Sequence, residues 1–276
     1  MIYNTIMVQL DIDEPPAPRL EYALALARRF EADLIAFAAA DAPVVLPGSD
    51  GIAVAGGVLR AQIDEIEARL DALRREFESL TGEDTRMSWR GFVANPTQAL
   101  AVQARAADLV VAGSPAIGPF FDRARRVDAG ALALAAGRPV LFAAENLAPP
   151  AAKNVLVAWK DTREARRAVV DALPFLTSAT DVLVASVEEE EAGGVARSGV
   201  ADIVRFLMKH GARARPEVVR RGDGECGEVL AKLAADAGCD LLVAGAYGHS
   251  RLREWAFGGV TRTLLQKSEL NRLLSC

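Results

Sequence analysis

Ala107-Asp-Leu-Val-Val-Ala-Gly113 returns 132 positions later as Cys239-Asp-Leu-Leu-Val-Ala-Gly245, and this pair decides how the chain is built. At the same offset Pro139-Val-Leu-Phe-Ala143 lies on Asn271-Arg-Leu-Leu-Ser275. Towards the amino end, Ile6-Met-Val-Gln-Leu-Asp11 matches Val155-Leu-Val-Ala-Trp-Lys160 at an offset of 149, and Asp33-Leu-Ile-Ala-Phe37 matches Asp181-Val-Leu-Val-Ala185 at 148. Four matched segments in one order mean a tandem duplication. The seam falls near Glu145-Asn-Leu-Ala-Pro-Pro-Ala-Ala-Lys153, which predicts domains at 1–147 and 152–276. The offset drops by about 16 between the second and fourth apolar strands, so the second copy is the shorter one there.

Each matched segment is a short Val, Leu and Ile run, apolar on both faces, as a strand buried in a parallel sheet must be. The stretches between them carry helical period. In the second copy Ala165, Ala168, Val169, Ala172, Leu173 and Leu176 form one stripe of a helix opening after Thr162. Pro174 lies inside that stripe and predicts an end or kink near Leu173. In the first copy Leu59, Ile63, Ile66, Leu70, Leu73, Phe77 and Leu80 alternate four and three apart, which reads as a long helix laid on its own sheet rather than a coiled coil. Five strands per copy, alternating with helices, predict a doubly wound α/β fold with right-handed crossovers.

Composition narrows the function classes. The 276 residues are 51% hydrophobic and 25% charged, which suits globular domains rather than a disordered or fibrous chain. No uncharged apolar run is long enough for a transmembrane helix. The opening Met1-Ile-Tyr-Asn-Thr-Ile-Met-Val-Gln-Leu lacks a basic n-region and a cleavage site, and three cysteines do not make a disulfide framework; cytoplasm is the expected compartment. A net charge of −5 without a basic stripe argues against nucleic acid. Two histidines, His210 and His249, and scattered cysteines give no metal-ligand spacing. The run Glu188-Glu-Glu-Glu191 reads as a solvated loop, and His210 before Gly211 as a helix cap.

The chemistry is sought beyond the carboxyl ends of the strands, where open α/β sheets bind ligands. After the fourth strand of the second copy comes Gly245-Ala-Tyr-Gly248-His-Ser-Arg-Leu-Arg-Glu-Trp-Ala-Phe-Gly258-Gly259-Val-Thr261. Glycines let backbone approach a phosphate, and the free N–H groups at a helix start bind it, with Arg251 and Arg253 as countercharge and His249 within reach. The segment is neither a Walker A loop nor the Gly-x-Gly-x-x-Gly dinucleotide fingerprint. The competing reading gives Gly245 and Gly248 to a tight turn and Gly258-Gly259 to helix packing; on residue chemistry alone the two stand level.

Gly-x2-Gly-x9-Gly after an Asp-Leu-Leu-Val-Ala-Gly strand, together with Val155-Leu-Val-Ala-Trp-Lys-Asp-Thr-Arg-Glu-Ala165, resembles the universal stress protein family. The resemblance covers both copies. It implies two Rossmann-like, adenine nucleotide alpha hydrolase-like domains, each a five-stranded parallel sheet flanked by helices. It also implies an adenine-nucleotide module, taking ATP or AMP, with no metal beyond a nucleotide-bound magnesium. Carried over by position, the pocket comprises Ala158, Trp159, Lys160, Asp161, Thr162, Val187, Gly245, Gly248, His249, Arg251, Gly258, Gly259, Val260 and Thr261. Two positions depart from the family pattern. Lys160-Asp161-Thr162 stands where the family has Asp-Gly-Ser, and Gly259 stands where it has a hydroxyl, leaving Thr261 as a shifted substitute. Each hydrogen bond lost there costs on the order of 1 kcal/mol.

In the first copy Gly113 persists, but Ala116, Arg126 and Val127 replace the other three glycines, so this copy is expected to have lost nucleotide binding and to act as a structural partner. The copies are expected to pack as an intramolecular pseudo-dimer, and a further homodimer is compatible with the pattern. The alternative function is a nucleotide-free scaffold with both clefts degenerate. A slow ATPase ranks third, because no side chain has an evident general-base role.

Overall fold

The structure, a computed structural model, describes residues 2–42, 52–82, 84–113, 122–188, 195–221, 224–247, 259–266 and 269–276. The first half runs β1 (Thr5–Leu10), α1 (Ala17–Phe30), β2 (Asp33–Ala40), α2 (Ile52–Thr81), β3 (Met87–Val93), α3 (Pro96–Gln103), β4 (Leu109–Ala112), α4 (Ala129–Ala135) and β5 (Val140–Phe142). The second runs β6 (Asn154–Ala158), α5 (Arg163–Asp171), α6 (Leu173–Leu176), β7 (Asp181–Glu188), α7 (Val195–Lys209), β8 (Ala214–Arg220), α8 (Cys226–Asp236), β9 (Leu241–Gly245), α9 (Gly259–Gln266) and β10 (Asn271–Ser275).

All ten strands lie in one sheet, ordered β3-β2-β1-β4-β5-β10-β9-β6-β7-β8. Within each half every pairing is parallel; β5 and β10 join the halves antiparallel, with Leu141 opposite Leu273. The matched sequence segments occupy equivalent strands: β1 and β6, β2 and β7, β4 and β9, β5 and β10. Each half reverses direction in the sheet between its first and fourth strands, β1/β4 and β6/β9, which is the switch point where such sheets open a crevice.

Apolar residues on both faces of the strands are covered by helices, as a parallel sheet requires. Helices α1, α2, α5 and α7 pack on one face through Leu20, Ile66, Phe77, Ala168 and Val200. Helices α3, α4, α8 and α9 cover the other through Leu100, Leu132, Leu230 and Leu264. The long α2 buries Ile66, Leu70, Leu73 and Phe77, so its four-three spacing serves a helix-on-sheet seam. α5 ends at Asp171 and α6 starts at Leu173 with Pro174 as its second residue, the break that the proline ring predicts. His210 caps α7, its Nδ1 lying 2.9 Å from the Phe206 carbonyl, before Gly211 at φ 88°.

The junction between the halves is polar as well as apolar. Asn271 at the start of β10 is buried; its Oδ1 accepts from Tyr22 Oη (2.7 Å) and from the Ala144 N–H (3.1 Å). Its Nδ2 donates to the carbonyls of Ala148 and Asp240, both at 3.1 Å. Beside it Arg272, 1% exposed, donates to the Ala143 carbonyl at 2.9 Å; burial lowers its pKa to about 10, so it stays cationic at neutral pH. Tyr3, Phe30 and Phe175 stack across the same junction, with Tyr3–Phe30 and Phe30–Phe175 centroids each 5.0 Å apart.

Candidate functional site

In the second half the carboxyl ends of β6, β7 and β9 come together, Ala158 pairing with Ala185 on one side and Ala244 on the other. Ala158 and Trp159 are buried; the Trp159 N–H continues the ladder to the Ala185 carbonyl at 2.7 Å. Thr162 is the N-cap of α5, its Oγ1 accepting from the Ala165 N–H at 3.2 Å. Lys160 is exposed between them and makes no ion pair among the described residues. Asp161 turns to Arg166 on α5, with Oδ1 2.6 Å from Nη2. Val187 is half-buried against the face covered by α8 and α9.

Gly245 ends β9 directly under the first turn of α5. A Cβ there would lie 2.5 Å from the Ala165 nitrogen and 2.6 Å from the Glu164 carbonyl carbon, so close helix-to-strand approach demands glycine at this position. Tyr247 follows in the left-handed region at φ 60°, its N–H donating to Thr261 Oγ1 at 3.2 Å. Thr261 is 4% exposed, so its hydroxyl serves the protein at the position where the sequence offers it to a ligand. Gly259 and Val260 open α9; around a Cβ at Gly259 there is open space. Gly248, His249, Arg251 and Gly258, with Arg253, lie outside the described residues.

Glu188 differs from its reading as part of a solvated run. It ends β7 and is 9% exposed, and its Oε1 has no hydrogen-bond partner among the described residues. Residues 189–191 of that run lie outside the described residues. Strand pairing extends one residue further than the acidic composition suggests, the Arg221 N–H reaching the Glu188 carbonyl at 3.0 Å.

The first half treats the same crevice differently. Arg19 is the third residue of α1, as Ala165 is the third of α5, and its guanidinium lies where a Cβ on Gly113 would be, 2.3 Å from Nη2. It bonds the Gln9 carbonyl (3.2 Å), Gln9 Oε1 (3.0 Å) and Asp11 Oδ2 (2.8 Å), and the Arg19 and Asp11 side chains are only 15% and 16% exposed. Residues 122–126 are strapped over the ends of β1 and β2. Arg125 forks onto Asp13 with two 2.8 Å bonds and reaches Glu65 at 3.2 Å; Arg126 holds Glu14 at 2.8 Å. Hydrogen bonds from Arg125 hold the Asp13 and Glu65 carboxyls below their usual range. Arg19 was not singled out from sequence. Its signal is the count of residues from the helix start, and that count becomes usable only once the two unequal loops after β1 and β6 are placed.

A doubly wound parallel sheet with helix starts and a close-packed glycine at its switch point defines a Rossmann-like α/β protein. The universal stress protein family model matches residues 138–273, the second half together with β5. A universal stress protein from Archaeoglobus fulgidus DSM 4304 superposes with TM-score 0.66 at 12% identity, over 99% of this chain and 96% of its own. A functionally unknown protein from Pseudomonas aeruginosa PAO1 does so with TM-score 0.60 at 16% identity, over 99% and 92%. At such identities the likeness is one of fold, and it runs through both halves. No curated protein matches the chain. Among the described residues no group of three or more His, Cys, Asp and Glu gathers as for a metal, and no helix is long and apolar enough to cross a membrane.

Proposed function

We propose that the chain is a tandem universal stress protein whose second half binds an adenine nucleotide, ATP or AMP, while the first half is its structural partner. The two copies then form an intramolecular pseudo-dimer through β5 and β10. The carrying observation is the asymmetry of the two switch points. At β1/β4 an arginine fills the crevice and donates through Nη1 to Gln9 and Asp11. At β6/β9 the equivalent residue is Ala165, which places nothing beyond a methyl group there, and α5 and α9 both begin at that end of the sheet. Free N–H groups and helix dipoles at such starts favour a phosphate. Lys160, exposed beside them, supplies a cation.

A specific observation favours the nucleotide-free scaffold as the second reading. Three groups in the carried-over pocket are already engaged: Thr162 caps α5, Asp161 pairs with Arg166, and Thr261 accepts from Tyr247. Isothermal titration of nucleotide-stripped protein with ATP and with AMP, in magnesium, separates the two. Saturable heat, lost in Lys160→Ala, supports the nucleotide site; no heat at millimolar ligand leaves the scaffold.

A further inference from the structure

Among the described residues the ten-stranded sheet ends in two edges, β3 and β8, in equivalent positions of the two halves: Met87 pairs with Leu34 and Ala214 with Val182. An edge strand offers a row of unpaired N–H and C=O groups on which another strand can build, and proteins commonly blunt it with proline or charge. Hydrogen bonds at the strand ends tell which residues face outward. In β8 the Arg213 carbonyl accepts from Val182 and the Arg221 N–H donates to Glu188, so the alternate residues Ala214, Pro216, Val218 and Arg220 turn their backbone away from the sheet. Pro216 has no N–H to offer there, and this edge is blunted. In β3 the Arg86 carbonyl accepts from Leu34 and the Ala94 N–H donates to Ala40, so Trp89, Gly91 and Val93 face outward. Trp89 takes the place of Pro216, and all three have an N–H.

We infer that β3 is a homodimerisation edge, on which a second copy of this chain lays its own β3 antiparallel about a two-fold axis at Gly91. Self-complementarity selects this occupant. About that axis Gly91 meets Gly91 of the second copy, and the outward rows of Trp89, Gly91 and Val93 exchange about six backbone hydrogen bonds. On the face packed against α2, Trp89 comes opposite Val93 of the second copy; Val93 is 38% exposed in the single chain. Aromatic and β-branched residues make favourable cross-strand pairs. On the other face Arg90, held by Gln103 Oε1 at 2.6 Å, comes opposite Phe92 of the second copy, a cation over a ring. Shifting the axis to Arg90 would set the two arginines against each other. Next to Trp89 an open cavity of about 410 Å³, lined by Arg74, Phe77, Glu78, Thr81, Met87 and Trp89, leaves room beside the strand for the side chains of an added one.

Sedimentation velocity on the full chain without nucleotide tests this independently of the ligand reading. The wild type is expected at twice its 29.3 kDa chain mass. Gly91→Pro, which removes the central outward N–H, and Val93→Lys, at an exposed position that leaves the fold alone, are expected to sediment as monomers with unchanged circular dichroism. Val218→Lys on the blunted edge is expected to stay dimeric. A monomeric wild type at its highest soluble concentration, or a dimer that survives Val93→Lys, overturns the inference.

Discussion

Substituting Gly245 by alanine tests how the second half holds its switch point. The added Cβ would stand 2.5 Å from the Ala165 nitrogen and 2.6 Å from the Glu164 carbon, both backbone atoms of α5. Ordinary contact is near 3.5 Å, so α5 must withdraw by about 1 Å. Moving a helix that buries Ala165, Ala168 and Val169 opens packed surface along β9 and β10. Overpacking of this kind costs about 1–3 kcal/mol, and a backbone obstacle places Gly245→Ala near 3. Gly113→Ala is the matched control. The three atoms nearest its Cβ among the described residues all belong to the Arg19 guanidinium, the end of a flexible side chain that can swing toward solvent, so its cost is the displaced hydrogen bonds, about 1–2 kcal/mol. Urea unfolding followed by circular dichroism measures both. Gly245→Ala within about 0.5 kcal/mol of wild type, or an inverted order of the two variants, would refute the close-packing argument.

Three further outcomes follow from the geometry. Asn271→Ala leaves four groups without this partner at once, the buried Tyr22 hydroxyl and Ala144 N–H and the part-buried carbonyls of Ala148 and Asp240, and is expected to lose about 2–4 kcal/mol against about 1 for Tyr22→Phe; near-equal losses in urea titration would show that the network carries little. Arg125→Ala removes the cation that depresses Asp13 and Glu65. Because a depressed carboxyl stabilises the fold above its unfolded pKa and loses that effect as pH falls through its folded pKa, the gap from wild type should be largest near neutrality and close as the solution is acidified below the usual carboxylate range; these groups are partly exposed, so it should stay under about 1 kcal/mol. A gap that widens in acid contradicts the assignment. Cys239 is buried, and burial raises its thiol pKa to about 11; it should resist a thiol reagent in the native protein while Cys226 and Cys276, half-buried, react first, and early labelling of Cys239 by mass spectrometry would count against its packing.

Most of the architecture is legible in the chain, because strand and helix periods are local and the matched segments show them twice. Val155–Ala158 and Leu241–Ala244 are apolar on both faces, Pro174 breaks its helix, and α2 shows its buried stripe. The candidate site was half legible. The glycine pattern marks Gly245 for close approach to a phosphate or for a tight turn; in the structure what comes close is the backbone of α5. Spacing along a chain does not say which amide a hydroxyl faces; Thr261 accepts from the Tyr247 N–H across fourteen residues.

Arg19 in the first crevice, Asn271 between the halves and the antiparallel join of β5 to β10 were decided only in three dimensions. Each is a meeting of groups far apart in sequence, or carried round by loops of unequal length. The amino-acid order sets which residues share a face of their own element, but which element comes to face it depends on the whole packed sheet.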